Sequence, residues 1–203
     1  MFDEWFRIRK ERWFAPLAQW LGTWCSPLAL TLVALLVGIA AAVAASQSAW
    51  RLAFALWITN RLLDGIDGTV ARLHNRQTDM GGYLDILLDF IVYALMPIGI
   101  ALAFDLRSSW LASCVLLASW FVNAASWMYL SAVLERRGAG ASARGELTTV
   151  TMPRGLVAGT ETVIFFSLFL LFPEYYVTLA WIMTFGVMIG VLQRLVWASK
   201  YLK

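Results

Sequence analysis

The sequence predicts an all-α polytopic membrane protein: six transmembrane helices preceded by an N-terminal amphipathic interfacial helix. Three observations carry this reading. Of 203 residues, 61% are hydrophobic and 14% charged, a balance foreign to soluble domains. Apolar runs near 20 residues recur along the chain, each long enough to cross a bilayer. The Lys and Arg residues fall overwhelmingly on alternate connections, as membrane topology requires.

Residues 1–22 alternate charge with Trp5, Phe6, Trp13, Phe14 and Trp20, which at helical spacing makes a basic amphipathic helix lying in the interface. They form one unit, and residues 23–203 form a single membrane domain. Early charges (Asp3, Glu4, Arg7, Arg9) and the lack of an early apolar core argue against a cleavable signal peptide. Ser26-Pro27 opens the first span, which runs to about Ser46, because Pro suits the first helical turn. The second span runs from about Ala49 to His74, the third from about Gly81 to Phe104, and the fourth from about Ser109 to Leu134. The linker Glu135–Arg154, rich in Gly, Ala, Ser and Arg, reads as a loop. The fifth span runs from about Val157 to Phe172; Pro173-Glu174 turns the chain into a sixth, from about Tyr175 to Leu195.

Of the 16 Lys and Arg residues, 13 lie on one side of this layout, from Arg7 through Arg72, Arg76, Arg136, Arg137, Arg144, Arg154 and Arg194 to Lys203. Only Arg51 and Arg107 lie opposite, and Arg61 falls inside the second span. Both termini are therefore expected in the cytoplasm, in a bacterial inner membrane. Cys25 and Cys114 lack metal or redox spacing and read as small buried or lipid-facing residues. The eleven tryptophans mostly flank spans, as interfacial belts. No soluble aromatic-basic region suggests nucleic-acid binding.

Four aspartates break the apolar pattern. Asp64 and Asp67 stand i,i+3; Asp85 and Asp89 stand i,i+4; on helices each pair shares a face. A carboxylate at bilayer depth is costly, so an intramembrane acid is a functional-site hypothesis by default. Four together cannot all stay charged without cations. Oxygen-only ligands suit Mg²⁺ or Mn²⁺, and two such ions could stabilise both oxygens of a phosphoryl displacement. Gly68 and Ala71 share the sector of Asp64 and Asp67, and their small side chains leave room for a ligand against the helix. The third-span acids lie near its start, so the cluster is expected at the cytoplasmic side.

The stretch Asp64-x2-Asp67-Gly68-x2-Ala71-Arg72-x8-Gly81-x3-Asp85-x3-Asp89 closely resembles the signature of the CDP-alcohol phosphatidyltransferase family, with every fixed position present. The resemblance implies transfer of a phosphatidyl group from CDP-diacylglycerol to an alcohol, with release of CMP, in phospholipid synthesis. By position it implies Asp64, Asp67, Asp85 and Asp89 as ligands of two divalent ions and Asp89 also as general base. It implies CDP-lipid contacts at Thr31, Gly68, Ala71, Arg72, Thr78 and Gly81. The family often carries Asn after the proline of the first span; Leu28 stands there, which removes that side chain's role. A homodimer is implied by resemblance alone.

For the acceptor, basic residues of the fourth-to-fifth linker and last helix form a phosphate pocket in relatives. Arg136, Arg137, Arg154 and Arg194 occupy comparable places, and arginine clamps phosphate bidentately. These residues point to a phosphorylated acceptor, such as glycerol 3-phosphate or inositol phosphate; serine, inositol or a lipid alcohol is the alternative. Glu161 and Asn123, in apolar runs, are expected to bond between helices, and His74 to be a solvated loop residue. A cation transporter would spread its acids through the bilayer, whereas these cluster on one side. A catalytically idle membrane relative is the other alternative, against which the intact signature speaks.

Overall fold

A computed structural model describes residues 14–140 and 155–202 of the chain. Among the described residues all regular structure is helical. A helical stretch over residues 14–21 precedes α1 (Pro27–Ser46), α2 (Trp50–Leu73), α3 (Asp79–Phe104), α4 (Arg107–Arg136), α5 (Gly159–Leu171) and α6 (Tyr176–Tyr201). Residues 1–13 of the expected amphipathic helix, most of the Glu135–Arg154 linker, and Arg144 and Arg154 lie outside the described residues.

Local chemistry sets the helix ends. Ser26 caps α1 by accepting from the Ala29 N–H, with Pro27 in the first turn. Thr78 caps α3 in the same way, its hydroxyl accepting from the Gly81 N–H at 3.0 Å. That cap starts the helix two residues before the expected Gly81. At their C-termini α1, α2 and α4 close alike. Ser48, Asn75 and Gly138 adopt left-handed φ of 57°, 52° and 67°. The N–H groups beyond them reach back to the carbonyls of Ala44, Ala71 and Leu134 at 2.8–2.9 Å, the paired-bond ending that satisfies orphan carbonyls.

Six crossings were expected; among the described residues four helical runs are long and apolar enough to cross by length and composition: α1, α3, α4 and the run Pro173–Tyr201. The second expected span is a helix of 24 residues, but Arg51, Arg61, Asp64, Asp67 and Arg72 lower its apolarity. The fifth expected span shortens to 13 residues because residues 155–158 are not helical. At 1.5 Å per residue it covers about 20 Å, short of a bilayer core of about 30 Å.

The described residues divide into two compact units, meeting in sequence at Phe104 and Asp105. In the first, α1 packs against both α2 and α3. It does so through small side chains: Ala34, Gly38, Ala41, Ala42, Ala44 and Ala45 are buried. A Cβ on Gly99 of α3 would fall 2.4 Å from the Ala42 carbonyl oxygen, and one on Gly38 would strike Val92. Close backbone approach through small residues is how helices associate where lipid removes the hydrophobic drive. The 14–21 stretch docks against α1 and the C-terminal half of α2: Ala18, Leu30, Ile66 and Val70 form a buried cluster edged by Phe14, Leu21 and Cys25.

In the second unit α4 packs along α6, and α5 packs on α6. Phe166, Phe169 and Tyr176 pack into a buried aromatic group, Phe169 meeting Tyr176 edge to face, and the Tyr176 hydroxyl meets Ser113 Oγ at 2.5 Å. Glu161, expected to bond between helices, instead caps its own: its carboxylate accepts from the Ala158 N–H at 3.0 Å. Its position three residues past Ala158, in the first turn of α5, makes that the nearest unsatisfied donor.

Candidate active site

The signature maps onto α2 and α3 of the first unit. Helical spacing turns Asp64 toward α3 and puts Asp85 and Asp89 one turn apart on α3. Asp64, Asp85 and Asp89 line one small cavity of about 10 Å³, together with Thr31, Ala34, Leu35, Asn60, Leu88 and Val92. Asp67, 4% exposed, does not line it. Its Oδ2 accepts from Thr31 Oγ1 at 2.6 Å and its Oδ1 from the Gly68 N–H at 2.5 Å. The first span therefore reaches the acidic cluster through Thr31, while Leu28, where the family often has Asn, is exposed.

Arg61 is the residue that sequence reasoning left aside. It is buried at the wall of this cluster. Its Nη2 donates to Asp89 Oδ1 at 2.7 Å, its Nη1 to the Tyr93 hydroxyl at 2.6 Å and its Nε to Asn60 Oδ1 at 2.7 Å. Nη1 also lies 3.7 Å from Asp64 Oδ2. The guanidinium carbon sits 4.9 Å from the ring centres of both Trp57 and Tyr93, within cation–π reach. Asn60 is itself anchored, its Nδ2 donating to the Ala34 carbonyl at 2.7 Å. A signal was present in the sequence: Arg61 stands i,i+3 from Asp64 inside a membrane helix, where a lone cation demands a partner.

The other expected donor contacts follow the end of α2 and start of α3. Arg72 folds back along its helix, Nη2 reaching Thr69 Oγ1 at 3.4 Å, and its Nη1 would lie 3.3 Å from a Cβ on Gly68. Ala71 accepts the Arg76 N–H at the end of α2. Thr78 and Gly81 form the α3 cap already described. His74, expected in solvent, packs its ring against Gly22, and Arg76 Nη1 donates to the Gly22 carbonyl at 3.1 Å. The docked N-terminal stretch covers it, which no local pattern around His74 signals.

The donor chemistry of the cluster fits a hard divalent ion: the acids lining the cavity offer oxygen only. As the side chains stand, no group of three or more His, Cys, Asp or Glu among the described residues is arranged to hold a metal. Arg61 shares two of these acids, and Asp85 is exposed.

In the second unit Arg194 is 5% exposed. It donates through Nη1 to the Asn123 carbonyl at 3.3 Å and through Nη2 to Asn123 Oδ1 at 2.5 Å, while its buried Nε has no partner among the described residues. A Cβ on Gly155 would fall 2.5 Å from Arg194 Nη2, so glycine admits the guanidinium there. The expected interhelical role of Asn123 is thus filled by this contact. Arg137 reaches the end of α6, donating to the Tyr201 and Leu202 carbonyls at 3.4 and 2.9 Å. Arg136 is exposed.

Comparison with known proteins agrees with the motif. The chain is 35% identical to the inner membrane protein YnjF of Escherichia coli (strain K12) over 167 residues, 79% of this chain and 80% of that one. It is 32% identical over 84 residues to CDP-diacylglycerol–serine O-phosphatidyltransferase of Mycobacterium bovis, covering 41% of this chain and 29% of that enzyme. In structure it is similar to phosphatidylinositol phosphate synthase (PgsA1) of Mycobacterium tuberculosis with CDP-DAG bound. The TM-score is 0.70 at 19% identity, over 91% of this chain and 92% of that one. The same synthase in complex with manganese and citrate gives a TM-score of 0.69 at 20% identity, over 90% and 87% of the two chains. Residues 24–192 match the CDP-alcohol phosphatidyltransferase family, and this integral membrane chain belongs to it.

Proposed function

We propose that this chain transfers the phosphatidyl group of CDP-diacylglycerol to an alcohol and releases CMP, at a divalent-metal site built on α2 and α3. The observation that carries the reading is the meeting of Asp64, Asp85 and Asp89 in one cavity, with Asp67 one helical turn from Asp64. Asp64, Asp67, Asp85 and Asp89 would hold Mg²⁺ or Mn²⁺. The bound ions supply positive charge to the pyrophosphate and its leaving group. Asp89 accepts the proton of the acceptor hydroxyl as its oxygen bonds to the lipid-bearing phosphorus and the bond to CMP breaks. Thr31 orients Asp67. Gly68 and Ala71 keep the α2 surface low enough for the CDP group, and Arg72, Thr78 and Gly81 border it.

The chain crosses the membrane six times in this reading, with α2 and α5 completing the set, and both termini and the acidic cleft face the cytoplasm. The bias of 13 basic residues to one side supports that orientation. The relatives named above differ in acceptor by their own names, so the acceptor is read from this chain's residues. Arg194, buried and with an Nε that has no partner among the described residues, supports a phosphorylated alcohol, with Arg154, Arg136 and Arg137 as further contacts. The family resemblance supports a homodimer.

The test is CMP release from CDP-diacylglycerol by the purified full-length protein, across a panel of labelled alcohols, with Mg²⁺, with Mn²⁺ and with chelator. Release that needs both the ion and one alcohol, with a matching lipid product, is the expected result. No ion-dependent release with any alcohol would leave the idle relative standing.

A further inference from the structure

Arg61 is held more firmly than charge balance requires. Its three kinds of nitrogen each have a separate acceptor, on Asn60, Tyr93 and Asp89. Two aromatic rings face its guanidinium, and the amide that orients its Nε is tied to the backbone of α1. This cage spans α1, α2 and α3 and fixes the cation beside two acids that line the cavity, Asp64 and Asp89. An ion pair sought only for stability could be replaced by apolar packing without loss. A caged one sets geometry and local charge.

We propose that Arg61 is the positioning residue of the acidic cleft: its cage fixes the rotamer of Asp89 for proton acceptance, and its charge weakens the cleft's hold on divalent ions. The inference rests on the metal-dependent reading above. The first effect is geometric. A carboxylate bonded through one oxygen to a rigid guanidinium cannot wander about its side-chain torsions, and small misplacement of a reacting group is costly in rate. The second is Coulombic. A fixed positive charge within 4 Å of two ligand carboxylates repels an incoming cation, and at low effective dielectric that repulsion is large. Weaker binding suits a site that must release CMP, whose phosphate is itself a ligand for divalent ions, on every turnover.

The experiment uses the purified full-length protein with Mn²⁺ as probe, its free concentration read by electron paramagnetic resonance. Arg61→Met keeps the length of the stem and removes the charge. It is expected to bind Mn²⁺ tighter by about tenfold or more, while kcat for CMP release falls by about tenfold or more with the CDP-diacylglycerol KM little changed. Arg61→Lys keeps the charge but cannot serve three acceptors in a plane. It is expected to keep Mn²⁺ affinity near that of the wild type and still lose kcat. A merely structural arginine would weaken both properties together in both variants. Unchanged or weaker Mn²⁺ binding in Arg61→Met overturns the inference while leaving the metal reading intact. Wild-type protein that binds no Mn²⁺ overturns both. If Arg61→Met does not fold, Arg61→Lys decides: full kcat in that variant overturns the positioning role.

Discussion

The hydroxyl of Thr31 on α1 donates to Asp67 Oδ2 on α2 at 2.6 Å, across 36 residues of sequence. A bond to a charged acceptor is short and strong, worth about 1.5–3 kcal/mol. It ties the small-residue face of α1 to the acidic helix and leaves Asp67 one orientation. Thr31→Val keeps the shape and removes the donor. It should lower kcat/KM for CDP-diacylglycerol by about 10- to 100-fold with little change in fold. Steady-state CMP release, alongside circular dichroism of the purified variant, measures this.

Asp89→Asn retains an oxygen that can accept from Arg61, so the cage should survive. What is lost is the negative charge that takes the acceptor proton. Turnover should fall by about a hundredfold or more, in the range typical of a missing general base. Thermal unfolding in detergent should stay close to that of the wild type. Appreciable turnover in this variant would remove Asp89 as the base.

Gly68 offers a bare patch of helix beside Arg72. The isopropyl group of Gly68→Val would press on the Arg72 guanidinium and fill the space read as the CDP site. CDP-lipid affinity should fall by about tenfold or more, as overpacking of a site predicts. Equilibrium binding of a labelled CDP-lipid is the direct measurement, and an unchanged affinity would place the nucleotide elsewhere.

Gly99 faces the backbone of Ala42, and a Cβ there would lie 2.4 Å from a carbonyl oxygen that cannot step aside. Gly99→Val must push α1 and α3 apart. The expected cost is about 1–3 kcal/mol, read as a lower melting temperature in detergent. Gly159→Ala, where a Cβ meets nothing within 4 Å among the described residues, is the control and should not lower the melting temperature.

For the acceptor, Arg194→Ala should raise the KM for a phosphorylated alcohol by about tenfold or more while the KM for CDP-diacylglycerol stays within about twofold. Equal effects on both substrates would assign Arg194 to its structural bond with Asn123 alone.

The acidic signature was legible because helices convert sequence spacing into shared faces: Asp64 with Asp67, and Asp85 with Asp89, needed only the 3.6-residue period. Helix starts were legible where a cap was local, as at Ser26; the α3 start lies two residues before Gly81 because the Thr78 hydroxyl caps it. The length of the fifth helix was not legible, because the unwound stretch at residues 155–158 packs against α6 and the Arg194 side chain. His74 looked solvated because nothing near it in sequence shows Gly22 beside its ring.

The sequence by itself determined the membrane character, the oxygen-rich chemistry and the pairing of acids within each helix, since composition and helical period act over a few residues. Only the tertiary structure decided which acids share a cavity, that Arg61 of α2 meets Asp89 and Tyr93 of α3, and that Thr31 reaches Asp67. Those contacts depend on how α1, with its alanines and Gly38, sets the distance and rotation of α2 and α3. Close packing between helices is a property of matched surfaces far apart in the chain, and no single stretch of sequence contains it.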